Sequence, residues 1–62
     1  SDKGAILQEL ERRAEAGEME QSVMAECLAL KQWVHANVPH PHSTSIKTIH
    51  RIIAKPFKAL KR

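Results

Sequence analysis

The C-terminal third of the chain, STSIKTIHRIIAKPFKALKR (residues 43–62), places apolar side chains at helical spacing and contains bases but no acid. The apolar residues recur at steps of three and four, which would align them along one side of a continuous helix; they are Ile46, Ile49, Ile53, Phe57 and Leu60. The bases follow a similar spacing that begins one residue later, at Lys47, Arg51, Lys55 and Lys58. This pattern predicts a helix with one side buried and one cationic side exposed.

Composition limits what the whole chain can be. At 62 residues it forms one domain, residues 1–62, and a domain of this size buries only about 60% of the surface of its unfolded chain. Apolar residues make up 42% and charged residues 27% of the chain, which is typical of a globular protein. Trp33 and Phe57 are the only aromatic residues and there are two glycines. This scarcity argues against base-stacking modules, KH domains and glycine-rich phosphate loops.

Charge is distributed unevenly along the chain. Residues 1–30 hold seven acids and three bases, a balance of −4, whereas residues 31–62 hold seven bases and no acid. All four histidines also lie in the second half. A molecule polarised in this way would orient in the field of a nucleic acid or an anionic membrane, with its acidic half turned away.

Cysteine usage and hydropathy bear on location. Cys27 is the only cysteine, so no disulfide forms within the chain and a reducing compartment is favoured. The uncharged run from Val38 to Ile46 is a Pro/His/Ser loop rather than an apolar span, so we expect no membrane crossing. The expected location is the cytoplasm, with a nucleoid or nuclear association if the chain binds DNA.

Start and stop signals predict an all-α fold, a small three-helix bundle with helices at about 2–16, 20–37 and 44–55. Asp2 is a suitable first N-cap and Gly17 a suitable left-handed stop. The second helix should begin near Met19 or Glu20, and Pro39 should end it near Asn37. No strand pattern is present in the sequence.

The third helix has several acceptable N-caps and one internal proline. Among Ser43, Thr44 and Ser45, we favour Thr44 or Ser43 as the N-cap, because Ile46 must already lie on the buried side. Pro56 should end the regular helix near Ala54, with a kink or a short extra turn over residues 56–61.

The second predicted helix has the widest apolar arc. Its inward row is extended by further apolar side chains, and the whole set is Val23, Met24, Cys27, Leu28, Leu30, Trp33 and Val34. An arc this broad predicts that the second helix is the central helix of the core. Trp33 is interpreted as a core residue, with an exposed anchor for a partner as the alternative.

The third helix has the side chains needed to contact duplex DNA. Hydroxyls and amides in its first turn can bond phosphate, while Lys and Arg can reach guanine edges in the major groove and flanking phosphates. The predicted contact residues share an outward or N-terminal position, and they are Thr44, Ser45, Lys47, Thr48, His50, Arg51, Lys55 and Lys58. A solvated cationic surface without a ligand is the alternative.

With these residues, the chain resembles a helix-turn-helix domain over residues 20–55. Val23 to Asn37 would be the supporting helix and STSIKTIHRII the recognition helix. The family usually has a tight turn of three or four residues, often with glycine. The connector here runs from Asn37 to about Ser43 and contains two prolines. The resemblance implies a small DNA-binding regulator or accessory factor, or a regulator of the same shape, such as an antiactivator, that binds a protein instead.

The sequence is compatible with other kinds of binding and argues against catalysis and metal binding. A protein-interaction module stays open, as does a basic helix lying on anionic lipid, which requires the apolar side of the third helix to be exposed. Homodimer formation also stays open, because no heptad seam is long enough to assign an interface. We expect no enzyme activity, since Cys27 and His35 would lie about 12 Å apart along one helix. No metal site and no cofactor are expected, because a second cysteine is absent.

Overall fold

The computed structural model describes residues 2–41 and 45–61 and contains three α-helices there, with no strand in these ranges. The helices are α1 (Lys3–Glu15), α2 (Val23–Asn37) and α3 (Ile46–Leu60). Their radius of gyration of 10.4 Å is that of a single compact domain of this length. The predicted all-α three-helix bundle is therefore confirmed.

One apolar core joins the three helices, and each helix contributes residues three or four positions apart. The fully buried members are Ile6 and Leu10 from α1, Cys27, Leu30 and Val34 from α2, and Ile49 and Ile53 from α3, with Phe57 at 5% exposure. The core confirms that the isoleucine row of α3 faces inward. Ile46 is only partly buried and Leu60 is 38% exposed, so the two ends of that row lie at the margin of the core.

The turn between α1 and α2 follows the predicted stop. Gly17 has a φ of 73°, the left-handed conformation that favours glycine. The amides of Gly17 and Glu18 donate to the carbonyls of Ala14 and Arg13, which closes the end of α1 in a Schellman motif. Asp2 is the N-cap residue of α1, but its side chain makes no capping hydrogen bond.

The predicted start of the second helix was wrong by about three residues. Met19 and Glu20 precede α2, which begins at Val23 because the Ser22 hydroxyl accepts a hydrogen bond from the Ala25 amide, 3.1 Å away. The predicted end at Asn37 is confirmed, and Val38 follows in an extended conformation before Pro39.

The predicted bounds of the third helix were wrong at both ends. Ser45 is the N-cap, instead of Ser43 or Thr44, which lie outside the described residues. The helix continues through Pro56 to Leu60 instead of ending near Ala54. Pro56 has no N–H to donate to the carbonyl four residues earlier. Burial of Ile53 and Phe57 on either side of Pro56 holds the two turns together.

The central helix is α3, so the prediction for α2 was wrong. The α3 helix packs against both α1 and α2, and these two contact each other less. Met24 and Leu28 of α2, predicted to widen its inward arc, are 52% and 55% exposed. Trp33 is partly buried and packs against the core, as predicted in preference to an exposed anchor for a partner.

Candidate nucleic-acid interface

Four cations lie on the side of α3 opposite its buried isoleucines. At 3.6 residues per turn, Lys47, Arg51, Lys55 and Lys58 fall within an arc of about 80° around the helix axis. All four are exposed. We call these four residues the basic face. Because α3 is continuous through Pro56, Lys58 stays in line with the three cations that precede the proline.

The basic face has no internal counterion within residues 2–41 and 45–61. Arg12 and Arg13 pair with glutamates in these residues, and no ion pair there involves a base of α3. Lys61 follows the end of α3, and its Nζ atom lies 5.5 Å from the centre of the Phe57 ring, a cation–π distance. The charge of the four basic-face residues is therefore available to an external anion.

The first turn of α3 uses its hydroxyls to build the helix. Ser45 Oγ accepts a hydrogen bond from the Thr48 amide at 3.1 Å and donates to Thr48 Oγ1 at 2.8 Å. Ser45 is exposed and Thr48 is half-buried. Both predicted contact residues therefore hold the N-terminus of α3 beside Lys47. Thr44, another predicted contact residue, lies outside the described residues.

His50 lies to one side of the basic face, in a groove between α3 and the start of α2. The groove has a volume of ≈ 430 Å³, and Lys55 and Lys58 also line it. His50 is exposed, as predicted. The structure thus brings His50 together with the two C-terminal members of the basic face, while Lys47 and Arg51 lie outside the groove.

A second charged region, which we call the arginine corner, lies where α1 turns towards α2. Here Arg13 Nε donates to Glu26 Oε2 at 2.7 Å and Arg13 Nη2 to Glu26 Oε1 at 3.1 Å. The Glu20 amide also donates to Glu26 Oε1, at 2.8 Å. Glu26 is fully buried, although the sequence pattern placed it outside the apolar arc. A contact between residues 13 positions apart in sequence carries no helical periodicity, so the pattern could not reveal it.

Arg12, the other arginine of this corner, pairs with one acid of α1 and one of the turn that follows α1. Arg12 donates two hydrogen bonds of 2.9 Å to the Glu9 carboxylate and one of 2.9 Å to Glu18. The hydrogen bonds from Arg12 lower the pKa of Glu9 and raise that of Arg12. The Glu26 carboxylate likewise raises the pKa of Arg13. Four acids of the first half, Glu9, Glu18, Glu20 and Glu26, thus pair with Arg12 or Arg13.

The surroundings of Cys27 and of the possible metal ligands bear on catalysis and metal binding. Cys27 is buried, and desolvation raises the pKa of its thiol, with the charge of Glu26 acting in the same direction. Such a thiol is a core residue rather than a nucleophile. Within the described parts of the chain, no group of three His, Cys, Asp or Glu side chains is placed to hold a metal ion.

The geometry of α3 also bears on contact with lipid. Ile49 and Ile53 are fully buried in the core, so the apolar side of α3 is not exposed to a membrane surface as a lipid-bound helix requires. None of the helices described is both long and apolar enough to cross a bilayer.

Comparison of the chain with protein-family models, with curated proteins and with solved structures finds no match.

Proposed function

We propose that this chain is a small regulator or accessory factor that binds duplex DNA through the basic face of α3. The observation that supports the proposal is the combination of four exposed cations on one side of a rigid helix with the lack of any internal ion pair to them in the described residues. The opposite side of the same helix is buried, so the side that carries the cations faces solvent.

The chemistry of duplex DNA matches this surface. Phosphates along a duplex present a regular row of negative charge, and each phosphate neutralised by Lys or Arg releases condensed counterions. A helix of 15 residues is long enough for its cations to follow a stretch of backbone. The proposal assigns the contacts with base edges to Lys47 and Arg51, in the first two turns of α3. None of the seven acids belongs to α3, and in the described residues none forms an ion pair with the basic face.

The test is a salt series of fluorescence anisotropy titrations with a labelled duplex of random sequence. Lys47→Ala/Arg51→Ala should weaken binding and lower the slope of log K against log salt by about 1.8, since each phosphate contact contributes about 0.9. Lys31→Ala, which removes one base from α2, is the control for loss of a base outside the basic face. Binding that does not respond to salt, or a double variant that binds normally, would contradict the proposal.

A second candidate is a protein-interaction module, supported by the exposed side of α2. Met24 and Leu28 are both more than half exposed, one helical turn apart. A groove of ≈ 540 Å³ borders Leu28, with Gln32 and His35 further along the helix. Apolar side chains exposed together are typical of surfaces that contact another protein.

The two candidates make different predictions for Met24→Glu/Leu28→Glu. If α2 binds a protein partner, this variant should lose the partner in co-purification from the native host. If α3 binds DNA, the variant should keep the DNA affinity of the parent. Loss of DNA binding in this variant, with the fold intact by circular dichroism, would place the DNA contact on α2 instead of α3.

A further inference from the structure

The groove between α3 and the start of α2 combines an apolar floor with a cationic rim. Its volume of ≈ 430 Å³ lies within the range of about 300 to 1,000 Å³ that is usual for small-molecule sites. The floor comprises Val23, Ala54 and Phe57, of which Val23 and Ala54 are half-buried and Phe57 is 5% exposed. A ligand in the groove would therefore cover apolar surface that solvent now partly reaches.

The rim of the groove carries charge of one sign. Its charged side chains are Lys55 and Lys58, beside His50, and no Asp or Glu lines the groove. Neither lysine forms an ion pair within residues 2–41 and 45–61. Charge complementarity therefore selects an anion, while the floor selects a ligand with apolar surface attached to that anion.

We propose that this groove binds a small organic anion, a phosphate or carboxylate attached to a compact apolar body. The anionic group would pair with Lys55 and Lys58, and the apolar body would lie against Ala54, Phe57 and Val23. An inorganic anion would use only the rim of the groove. A DNA backbone phosphate would do the same, because the sugar–phosphate chain has no compact apolar group to bury.

Occupation of the groove would affect the proposed DNA-binding surface. Lys55 and Lys58 belong to both the groove and the basic face, so a bound organic anion would compete with DNA for them. This consequence depends on the proposed function. Binding of the anion itself does not, since the groove is present whether or not DNA is a partner.

The test is an amide chemical-shift titration of the whole chain with phenyl phosphate, inorganic phosphate and benzyl alcohol in parallel. Phenyl phosphate should shift the amides of residues 21–23 and 54–58 and bind about tenfold more tightly than inorganic phosphate, a difference of about 1.4 kcal/mol. Benzyl alcohol should produce no saturable shift at the same concentrations. Equal affinities for phenyl phosphate and inorganic phosphate would overturn the proposal, because the floor would then contribute nothing.

Two double variants of equal charge separate a defined site from diffuse attraction. Lys55→Gln/Lys58→Gln should weaken phenyl phosphate binding at least about tenfold, whereas Lys47→Gln/Arg51→Gln should change it less than about twofold. All four side chains are exposed, so both variants should retain the fold, which their amide spectra report. Equal weakening in the two variants, or shifts spread over the whole of α3, would show a nonspecific anion response and overturn the proposal. Because no DNA is present, this result is independent of the DNA titrations.

Discussion

The arginines of the arginine corner and the cations of the basic face carry the same charge in opposite settings. In the corner, the Arg13 guanidinium is largely buried and held by the fully buried Glu26 at 2.7 Å. On the basic face, the cations are exposed and have no internal partner in the described parts of the chain. The first region uses its charge to join α1 to α2, while the second holds its charge on the surface. Substitutions in the two regions should therefore separate stability from binding.

The largest expected effect comes from breaking the buried pair in the arginine corner. Arg13→Leu leaves the Glu26 carboxylate buried without its cation, which should cost about 3 to 5 kcal/mol of unfolding free energy. A domain of 62 residues has a total stability of about 3 to 9 kcal/mol. The variant should therefore lose at least about a third of its unfolding free energy, as measured by urea denaturation followed by circular dichroism.

The double variant Arg13→Leu/Glu26→Leu is the control for this experiment. Removing both charges leaves no buried ion, so stability should recover in part. Full recovery is not expected, because the Glu20 amide loses its acceptor on Glu26. An Arg13→Leu protein less than about 1 kcal/mol below the parent would show that the corner contributes no more than a surface ion pair.

Local patterns predicted much of the fold because their causes are local. The isoleucine spacing of α3, the left-handed Gly17 and the proline after Asn37 each act within a few residues, and the structure confirms all three. Ser22 is a local N-cap signal for the start of α2, but the predicted start lay earlier, near Met19 or Glu20. Pro56 was misjudged because burial of neighbouring side chains outweighed its local preference.

Tertiary contacts account for what could not be predicted. The α2 sequence is apolar on several sides, so its pattern could not show that Met24 and Leu28 would face outward. The partnership of Arg13 with Glu26 requires α1 and α2 to be placed relative to each other. In the candidate site, exposure of Lys47 and Arg51 follows from the buried row opposite them, whereas the groove beside His50 depends on where α2 begins.

Substitutions at Ser45 separate the contribution of the first turn of α3 to stability from its contribution to DNA binding. Ser45→Ala removes the hydroxyl that caps the helix and should cost about 1 kcal/mol. Ser45→Asp and Ser45→Asn both restore a capping acceptor, so both should keep the stability of the parent. Only the aspartate places a negative charge beside Lys47, so only this variant should weaken DNA binding. Urea denaturation and anisotropy titration measure the two effects separately; equal DNA affinity of the Asp and Asn variants would contradict the interpretation.

A smaller change in stability is expected for the basic face itself. Lys47→Ala/Arg51→Ala removes two exposed side chains that have no ion pair in the described residues, so the unfolding free energy should stay within about 0.5 kcal/mol of the parent. The same variant is expected to lose DNA affinity. A loss of more than about 2 kcal/mol in stability would mean that these side chains support the fold, and the contrast with the arginine corner would fail.

The smallest expected effect is a dependence of stability on pH through Glu9. The Arg12 hydrogen bonds lower the pKa of Glu9 from 4.5, so the folded state holds this carboxylate ionised more strongly than the unfolded state does. The stabilisation is fully present above pH 4.5 and is lost as the pH falls through the lower, folded-state pKa. Glu9→Gln cannot ionise at this position, so the stability difference between parent and variant should be largest at neutral pH and should shrink below pH 4.5. Urea denaturation of both proteins across this interval measures the difference. If the stability difference between parent and variant stayed constant across this interval, the charge of Glu9 would contribute nothing to stability.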